Sequence, residues 1–142
     1  MDLLNLNNEL DYREYYILNY CKQKVFTYSG IEVKFYEDQF EHAFFESKQY
    51  KKRDKSIFSW ERAKRMDWIK NVLLDSNAEL YVGWDRDKKK YNENRRVSII
   101  SEDNYVVILN IINNKKAKFI TAYNASISNA RKIRSAPKWQ NK

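Results

Sequence analysis

The chain has 142 residues, 43% of them hydrophobic and 15% aromatic, enough to bury one core and unlike a disordered segment. One cysteine (Cys21) and one histidine (His42) exclude a disulfide framework and argue against a zinc or cysteine-cluster site. No apolar run approaches the ~18 residues of a membrane span, and the acidic amino terminus is unlike a signal peptide.

With Gly30, Gly83 and Pro137 as the only strong breakers, an all-β barrel of tight turns is disfavoured. The expectation is an intracellular protein that needs no cofactor and no metal. The net charge of +8 is unevenly spread. Residues 1–47 carry 4 basic and 9 acidic side chains, residues 48–70 carry 9 and 3, residues 71–114 carry 6 and 7, and residues 115–142 carry 8 and none. Two basic blocks around a near-neutral middle favour a polyanionic partner, most often nucleic acid.

In chain order, Leu3, Leu6, Leu10 and Ile17 fall near one stripe and predict an amphipathic helix from Leu3 to Tyr20. Two β-prone runs, Val25–Tyr28 and Ile31–Tyr36, flank Ser29-Gly30 and predict a hairpin. Asp38 is an expected N-cap for a short helix from Gln39 to about Ser47, with Glu41 completing a capping box. Phe40, Phe44 and Phe45 should point inward there, leaving His42 on the flank of the apolar face. Residues 48–56 read as a basic loop. A longer helix is expected from about Ile57 to Asp75, burying Ala63, Met66, Ile69, Val72 and Leu73 and setting Arg62 and Arg65 on the margin of that stripe. Lys64, Asp67 and Lys70 should be more exposed.

Ala78–Trp84 then reads as a strand and 85–94 as a charged loop. Arg95–Ser101, Tyr105–Ile112 and Ala117–Tyr123 read as an antiparallel meander with turns at 102–104 and 113–114. The basic tail beyond Asn124 should lie on the sheet as a short helix or coil. In the last strand, a period of two sets Phe119, Thr121 and Tyr123 on one face and Ile120 and Ala122 on the other. The whole predicts one α+β domain over residues 1–142: an N-terminal helix (1–22) and a core (23–139) in which helices and a hairpin pack on a C-terminal four-stranded antiparallel sheet, with a short tail (140–142).

The segments Phe40-Glu-His42, Arg62-Ala-Lys-Arg-Met-Asp-Trp-Ile69, Ala78-Glu-Leu-Tyr-Val-Gly-Trp84, Phe119-Ile-Thr-Ala-Tyr123 and Lys132-Ile-Arg-Ser-Ala-Pro-Lys-Trp139 occur in an order that resembles the barnase–EndoU–colicin–RelE group of metal-independent RNases, in particular the forms encoded by phages and mobile elements. The resemblance runs from Val25 to Trp139. It implies a barnase/RelE-like fold, His42 as the acid/base residue, and Thr121 with Tyr123 as the hydroxyl-bearing positions of the final strand. It also implies RNA as the partner, a toxin-like role in a bacterial cytoplasm and a neutralising immunity or antitoxin protein. The Gly that often follows the histidine segment in phage forms is replaced here by Phe-Phe-Glu-Ser.

The chemistry is consistent with that resemblance. RNA carries its own nucleophile, the 2′-hydroxyl, so a protein must move two protons and stabilise phosphoryl charge. Histidine, with an ordinary pKa of ~6.5, suits the proton transfers, and arginine suits the phosphate. The candidate catalytic residues are therefore His42, Thr121, Tyr123 and Arg62. Candidate RNA-binding residues are Arg65, Arg96, Lys64 and Lys118, with Arg95 as an alternative to Arg96 and with Glu41 or Glu46 as a second acid/base group. Tyr123 is alternatively a stacking platform for a base. Two other readings stay open: a nucleic-acid-binding module without catalysis, and a phage protein that inhibits a host factor through protein contact, with residues 2–20 as its arm.

Overall fold

The computed structural model describes residues 1–46, 57–85, 89–91 and 96–140; the basic segment 48–56 and Arg95 lie outside them. In chain order the elements are α1 (Glu9–Tyr16) followed by a π-helical turn (Ile17–Cys21), β1 (Val25–Phe26), β2 (Glu32–Lys34), α2 (Gln39–Phe44), β3 (Phe45–Glu46), β4 (Ile57–Phe58), α3 (Trp60–Lys64), α4 (Trp68–Leu73), β5 (Glu79–Val82), β6 (Trp84–Asp85), β7 (Lys90–Tyr91), β8 (Arg96–Ile100), β9 (Tyr105–Asn113), β10 (Lys116–Asn124) and α5 (Ile127–Arg134).

The fold is α+β, as the element order predicts, but the sheet differs from the expected four-stranded one. Among the described residues it has six strands in the order β1-β2-β10-β9-β8-β5. The antiparallel meander β5-β8-β9-β10 is present. The N-terminal hairpin does not pack on that meander. It extends it, with β2 running parallel to β10 over Lys116–Lys118. Val33 on β2 and Phe35 just past its end are both buried, and the Phe35 ring stacks on Phe119 of β10 at 4.7 Å. Burying that face against the helices requires the hairpin to join the sheet edge. Two further antiparallel pairs, β3–β4 and β6–β7, stand outside the main sheet.

The helices divide between the two faces. α1 to α4 and the inward residues Val97, Leu109, Ala117, Phe119 and Ala122 form the main core. α5 covers part of the opposite face through Ala130 and Ile133, against Tyr81, Ile100 and Val106, in agreement with a tail that lies on the sheet. Arg134 fastens α5 to the β8–β9 turn by donating to Asn104 Oδ1 (2.7 Å) and to the Ser101 carbonyl (3.0 Å). The tail then runs along β5, where Val82 N donates to Pro137 O and Trp139 N to Leu80 O, so this edge of the sheet is covered.

Three expectations about helices are corrected. The first helix is shorter than Leu3–Tyr20 and buries tyrosines in place of the leucine stripe. Tyr12, Tyr16 and Tyr20 are 0%, 0% and 1% exposed, whereas Leu10 is 59% exposed. Each buried phenol has a carbonyl to donate to: Leu4 O at 2.6 Å, Tyr36 O at 2.7 Å and Met66 O at 2.7 Å. A satisfied hydroxyl lets a large aromatic body be buried without an orphaned donor. The expected helix over 57–75 is two helices joined by a turn at 65–67, and its first two residues form β4. Ser59 caps α3 by accepting from Arg62 N. At the break the carbonyls of Arg65 and Met66 accept from Tyr105 and Tyr20 hydroxyls, while Trp68 N and Ile69 N bond three residues back, to Arg65 and Met66. These tertiary donors favour the tightened turn over a continued α-helical ladder. The stripe Ala63, Met66, Ile69, Val72 and Leu73 is buried as expected. The capping box at Asp38 is not formed, because Asp38 has helical dihedrals and no side-chain cap bond.

Two stability predictions follow. Tyr20→Phe removes the phenol's bond to the Met66 carbonyl, which keeps Ile69 N as its donor, and should lower unfolding free energy by about 0.5–1.5 kcal/mol in urea denaturation. At Gly83 an added Cβ would lie 2.3 Å from Arg96 Cγ, so Gly83→Ala should cost about 1–3 kcal/mol. In a double-mutant cycle Arg96→Ala should recover part of that loss; strict additivity would show the two positions to be uncoupled.

Candidate functional site

The site is built on the free part of the β10 edge. β2 pairs with only three residues of that edge, Lys116, Ala117 and Lys118. Beyond them the register between β9 and β10 shifts between Phe119 and Thr121, which leaves Ile120 as the extra residue of a bulge. The Ile120 carbonyl is met by α2: Gln39 Nε2 donates to it at 2.6 Å. Helix cover of this kind satisfies an open strand edge.

The bulge corrects the expected faces of the last strand. Phe119 and Ala122 both belong to the main core, whereas Thr121 pairs with Ile108 and Tyr123 with Val106, residues of the α5 side. Phe119 thus parts company with Thr121 and Tyr123, because one inserted residue inverts the alternation that follows it. The same inversion sets Lys118, Thr121 and Tyr123 on one face.

At the end of this edge lies an open cleft of about 250 Å³, lined by Glu46, Glu61, Arg62, Arg65, Tyr105, Tyr123 and Asn124. Each wall has a local origin. The helix break after Lys64 leaves Arg62 and Arg65 near the end of α3, where their guanidinium groups reach different partners. Arg62 Cζ lies 5.7 Å from the Tyr123 ring centre, and Arg62 Nη1 donates to Ala43 O at 3.4 Å. Arg65 Cζ lies 5.0 Å from the Trp68 ring, its Nη1 donates to Glu61 O at 2.9 Å, and its Nε is enclosed without a hydrogen-bond partner. The β3–β4 pair carries Glu46 into the wall, where Ser59 Oγ donates to its Oε1 at 3.0 Å. Tyr105 forms the floor; burial pushes its phenol well above the ordinary tyrosine range. The Tyr123 hydroxyl donates to Asn129 Oδ1 at 3.1 Å, which ties the ring to α5.

Among the described residues, neither Arg62 nor Arg65 has a carboxylate within ion-pair distance. Two guanidinium groups lining open space, each with its Nη1 bonded to a backbone carbonyl, can take an oxyanion such as a phosphate through their Nη2 donors. Two carboxylates of the same lining, Glu46 and Glu61, can accept or donate protons.

Of the residues expected from the sequence, the cleft brings together Arg62, Arg65 and Tyr123. His42 is exposed on the last turn of α2 and does not line the cleft. It immediately precedes Ala43, whose carbonyl takes Arg62, and lies one turn beyond Gln39, which holds β10. Thr121 is half-buried, with its Oγ1 enclosed and unpaired. Lys64 is half-buried at the end of α3, outside the cleft lining. Arg96 and Lys118 share a lateral row through Asn110. That row is six residues back along β10 from Asn124, roughly 20 Å at strand spacing. Glu46 enters as a second carboxylate, while Glu41 instead pairs with Arg13 at 3.3 Å. Glu61, Tyr105 and Asn124 were not expected. Glu61 could have been found from its place one residue before Arg62; Tyr105 and Asn124 carry no local signal, since strand pairing alone sets them opposite each other. Among the described residues no cluster of His, Cys, Asp or Glu is arranged to hold a metal ion, and no helix is long and apolar enough to cross a membrane.

The Gln39 bond gives a structural test. Gln39→Leu removes the donor to the Ile120 carbonyl and should cost about 1 kcal/mol, with faster amide exchange on β10 from 120 to 124 than on β8. Uniform exchange across both strands would mean that α2 does not hold this edge.

Comparisons of this chain with protein-family models, with curated proteins and with solved structures find no match to any of them.

Proposed function

We propose that the protein is a metal-independent endoribonuclease that cleaves RNA through attack of the 2′-hydroxyl on the adjacent phosphorus. The observation that carries the reading is the pair Arg62 and Arg65 in one cleft with Tyr123, Glu46 and Glu61, neither arginine having a carboxylate within ion-pair distance among the described residues. Arg62 and Arg65 hold the non-bridging phosphoryl oxygens and stabilise the charge that grows on them. Glu46 takes the proton from the 2′-hydroxyl and the P–O5′ bond breaks; the departing O5′ is protonated by His42, which stands outside the cleft lining, one residue before the Ala43 carbonyl that receives Arg62. The products are a 2′,3′-cyclic phosphate and a 5′-hydroxyl. Tyr123, with its ring under Arg62, stacks a base beside the scissile phosphate. Thr121, whose hydroxyl is enclosed, supports the strand beneath Tyr123 and transfers no proton.

The helix layer against an antiparallel meander, with the histidine on a helix beside the final strand, is the support for a barnase-like relationship. A toxin-like role in a bacterial cytoplasm, phage or mobile-element origin and a neutralising protein partner rest on that relationship.

Purified protein incubated with total RNA in EDTA should yield fragments ending in 2′,3′-cyclic phosphate. His42→Ala and Glu46→Gln should each reduce the rate by about 10²–10⁴-fold with unchanged circular dichroism. Arg62→Ala should weaken RNA affinity and flatten its dependence on salt. Full activity of His42→Ala would remove that residue from the mechanism. Salt-sensitive binding without any cleavage would replace the enzyme by a binding module.

A further inference from the structure

The cleft does not use the other end of the α5-facing side of the sheet. α5 contacts Tyr81, Ile100 and Val106, and the rows beyond them carry a different set of side chains. Val25, Val33 and Ala117 turn inward to the main core, so their neighbours Phe26, Glu32, Lys34, Lys116 and Lys118 face the other way. The pairing confirms this row by row: Phe26 stands opposite Glu32, Glu32 opposite Lys116, and Lys34 opposite Lys118. Tyr36, two residues past Lys34 and beyond the inward Phe35, joins the same face; Lys118 Nζ lies 5.2 Å from its ring centre. Phe26 is 41% and Tyr36 47% exposed, and Lys34 and Lys116 are exposed as well.

This patch is strongly positive. Its one carboxylate, Glu32, is paired with Lys34 at 3.0 Å. The hydrogen bond from Lys34, followed by the charges of Lys34, Lys24 and Lys116, holds the Glu32 carboxyl below its usual range. A site made for a cation would not surround its carboxylate with lysines. Two exposed aromatic rings bracket the ammonium groups: Phe26 on β1, opposite Glu32, and Tyr36 just past β2, four residues or roughly 13 Å beyond Glu32 at strand spacing. Alternating cations and exposed rings on a sheet match a strand whose phosphates need counter-charge and whose bases are free to stack. A duplex keeps its base faces stacked internally and cannot use the rings. An acidic peptide would meet the lysines and gain nothing specific from them.

We infer that the β1–β2–β10 face, through Lys34, Lys116, Phe26 and Tyr36, binds single-stranded RNA and delivers it along β10 to the cleft. The inference rests on the ribonuclease reading for its substrate but concerns a separate surface. The bulge makes the track continuous, since Lys118, Thr121 and Tyr123 share this face, and roughly 20 Å separates the lysine row from Asn124.

The test uses the full chain with a fluorescent single-stranded RNA of about twelve nucleotides, the matching duplex, and a dinucleotide substrate that fills the cleft alone. Lys34→Gln/Lys116→Gln should weaken single-strand binding about tenfold and reduce the salt slope by about 1.4. Phe26→Ser/Tyr36→Ser should weaken single-strand binding without changing the slope. Both variants should cleave the dinucleotide within about twofold of the wild-type rate. Unchanged affinity and slope in the lysine variant, tighter binding of the duplex, or displacement of RNA by poly-glutamate at equal charge would each overturn the inference. Binding through these residues with no cleavage of any substrate upholds it and rejects the ribonuclease reading. Dinucleotide cleavage with unaltered long-strand binding in both variants does the reverse.

Discussion

Most of what is distinctive in this structure depends on how the edge of β10 is shared. β2 takes three residues of it in parallel pairing, and the next exposed carbonyl, that of Ile120, is taken by the side chain of Gln39. Unpaired strand edges must be satisfied or covered. The chain does both here, first with a strand and then with a helix. The changeover coincides with the bulge between Phe119 and Thr121. That bulge keeps Phe119 and Ala122 in the core while turning Thr121 and Tyr123 to the other side. A regular strand would have buried a different set, and Tyr123 would not lie beside Arg62.

A second constraint comes from buried phenols. Tyr12, Tyr16, Tyr20 and Tyr105 each donate to a backbone carbonyl in another part of the chain. Two of those carbonyls, on Arg65 and Met66, lie where the helix over 60–73 is broken. The break is therefore tied to the core itself, and it has a consequence for the site. Arg62 and Arg65 stand near the end of a short helix and line one opening. Arg65 is further fixed by its bond to Glu61 O and its contact with Trp68. Held in place with no carboxylate partner among the described residues, these guanidinium groups lose little rotamer freedom on meeting an anion.

The distribution of charge gives these local features a common direction. The cleft and the lysine face lie at opposite ends of the same strand, and both present cations beside aromatic rings. Under the ribonuclease reading, one end performs phosphoryl chemistry and the other supplies sequence-tolerant affinity. Such a division lets binding away from the scissile bond contribute to orientation at it. The carboxylates of Glu46 and Glu61 suit proton transfer in the cleft and would repel an anion placed anywhere but against the arginines.

The sequence by itself determined the α+β class, the meander with its Asn-rich turns, the helix carrying Phe40 and Phe44, and the buried stripe from Ala63 to Leu73. Each of these is written in local periodicity or turn chemistry, which neighbouring residues decide. It also placed Arg62, Arg65 and Tyr123 among the residues of interest, because strong cations and aromatics in basic blocks are visible without coordinates. The tertiary structure alone decided the rest. The parallel joining of β2 to β10 unites segments some eighty residues apart in sequence, and no local pattern encodes it. The bulge is one residue of register, invisible to a period of two until the partner strand is known. The buried tyrosine stripe and the helix break depend on carbonyls supplied by distant turns, so a hydropathy pattern favours the leucines instead. Glu61, Tyr105 and Asn124 meet across a cleft because strands and helices converge there, a fact about packing that single-residue chemistry does not contain.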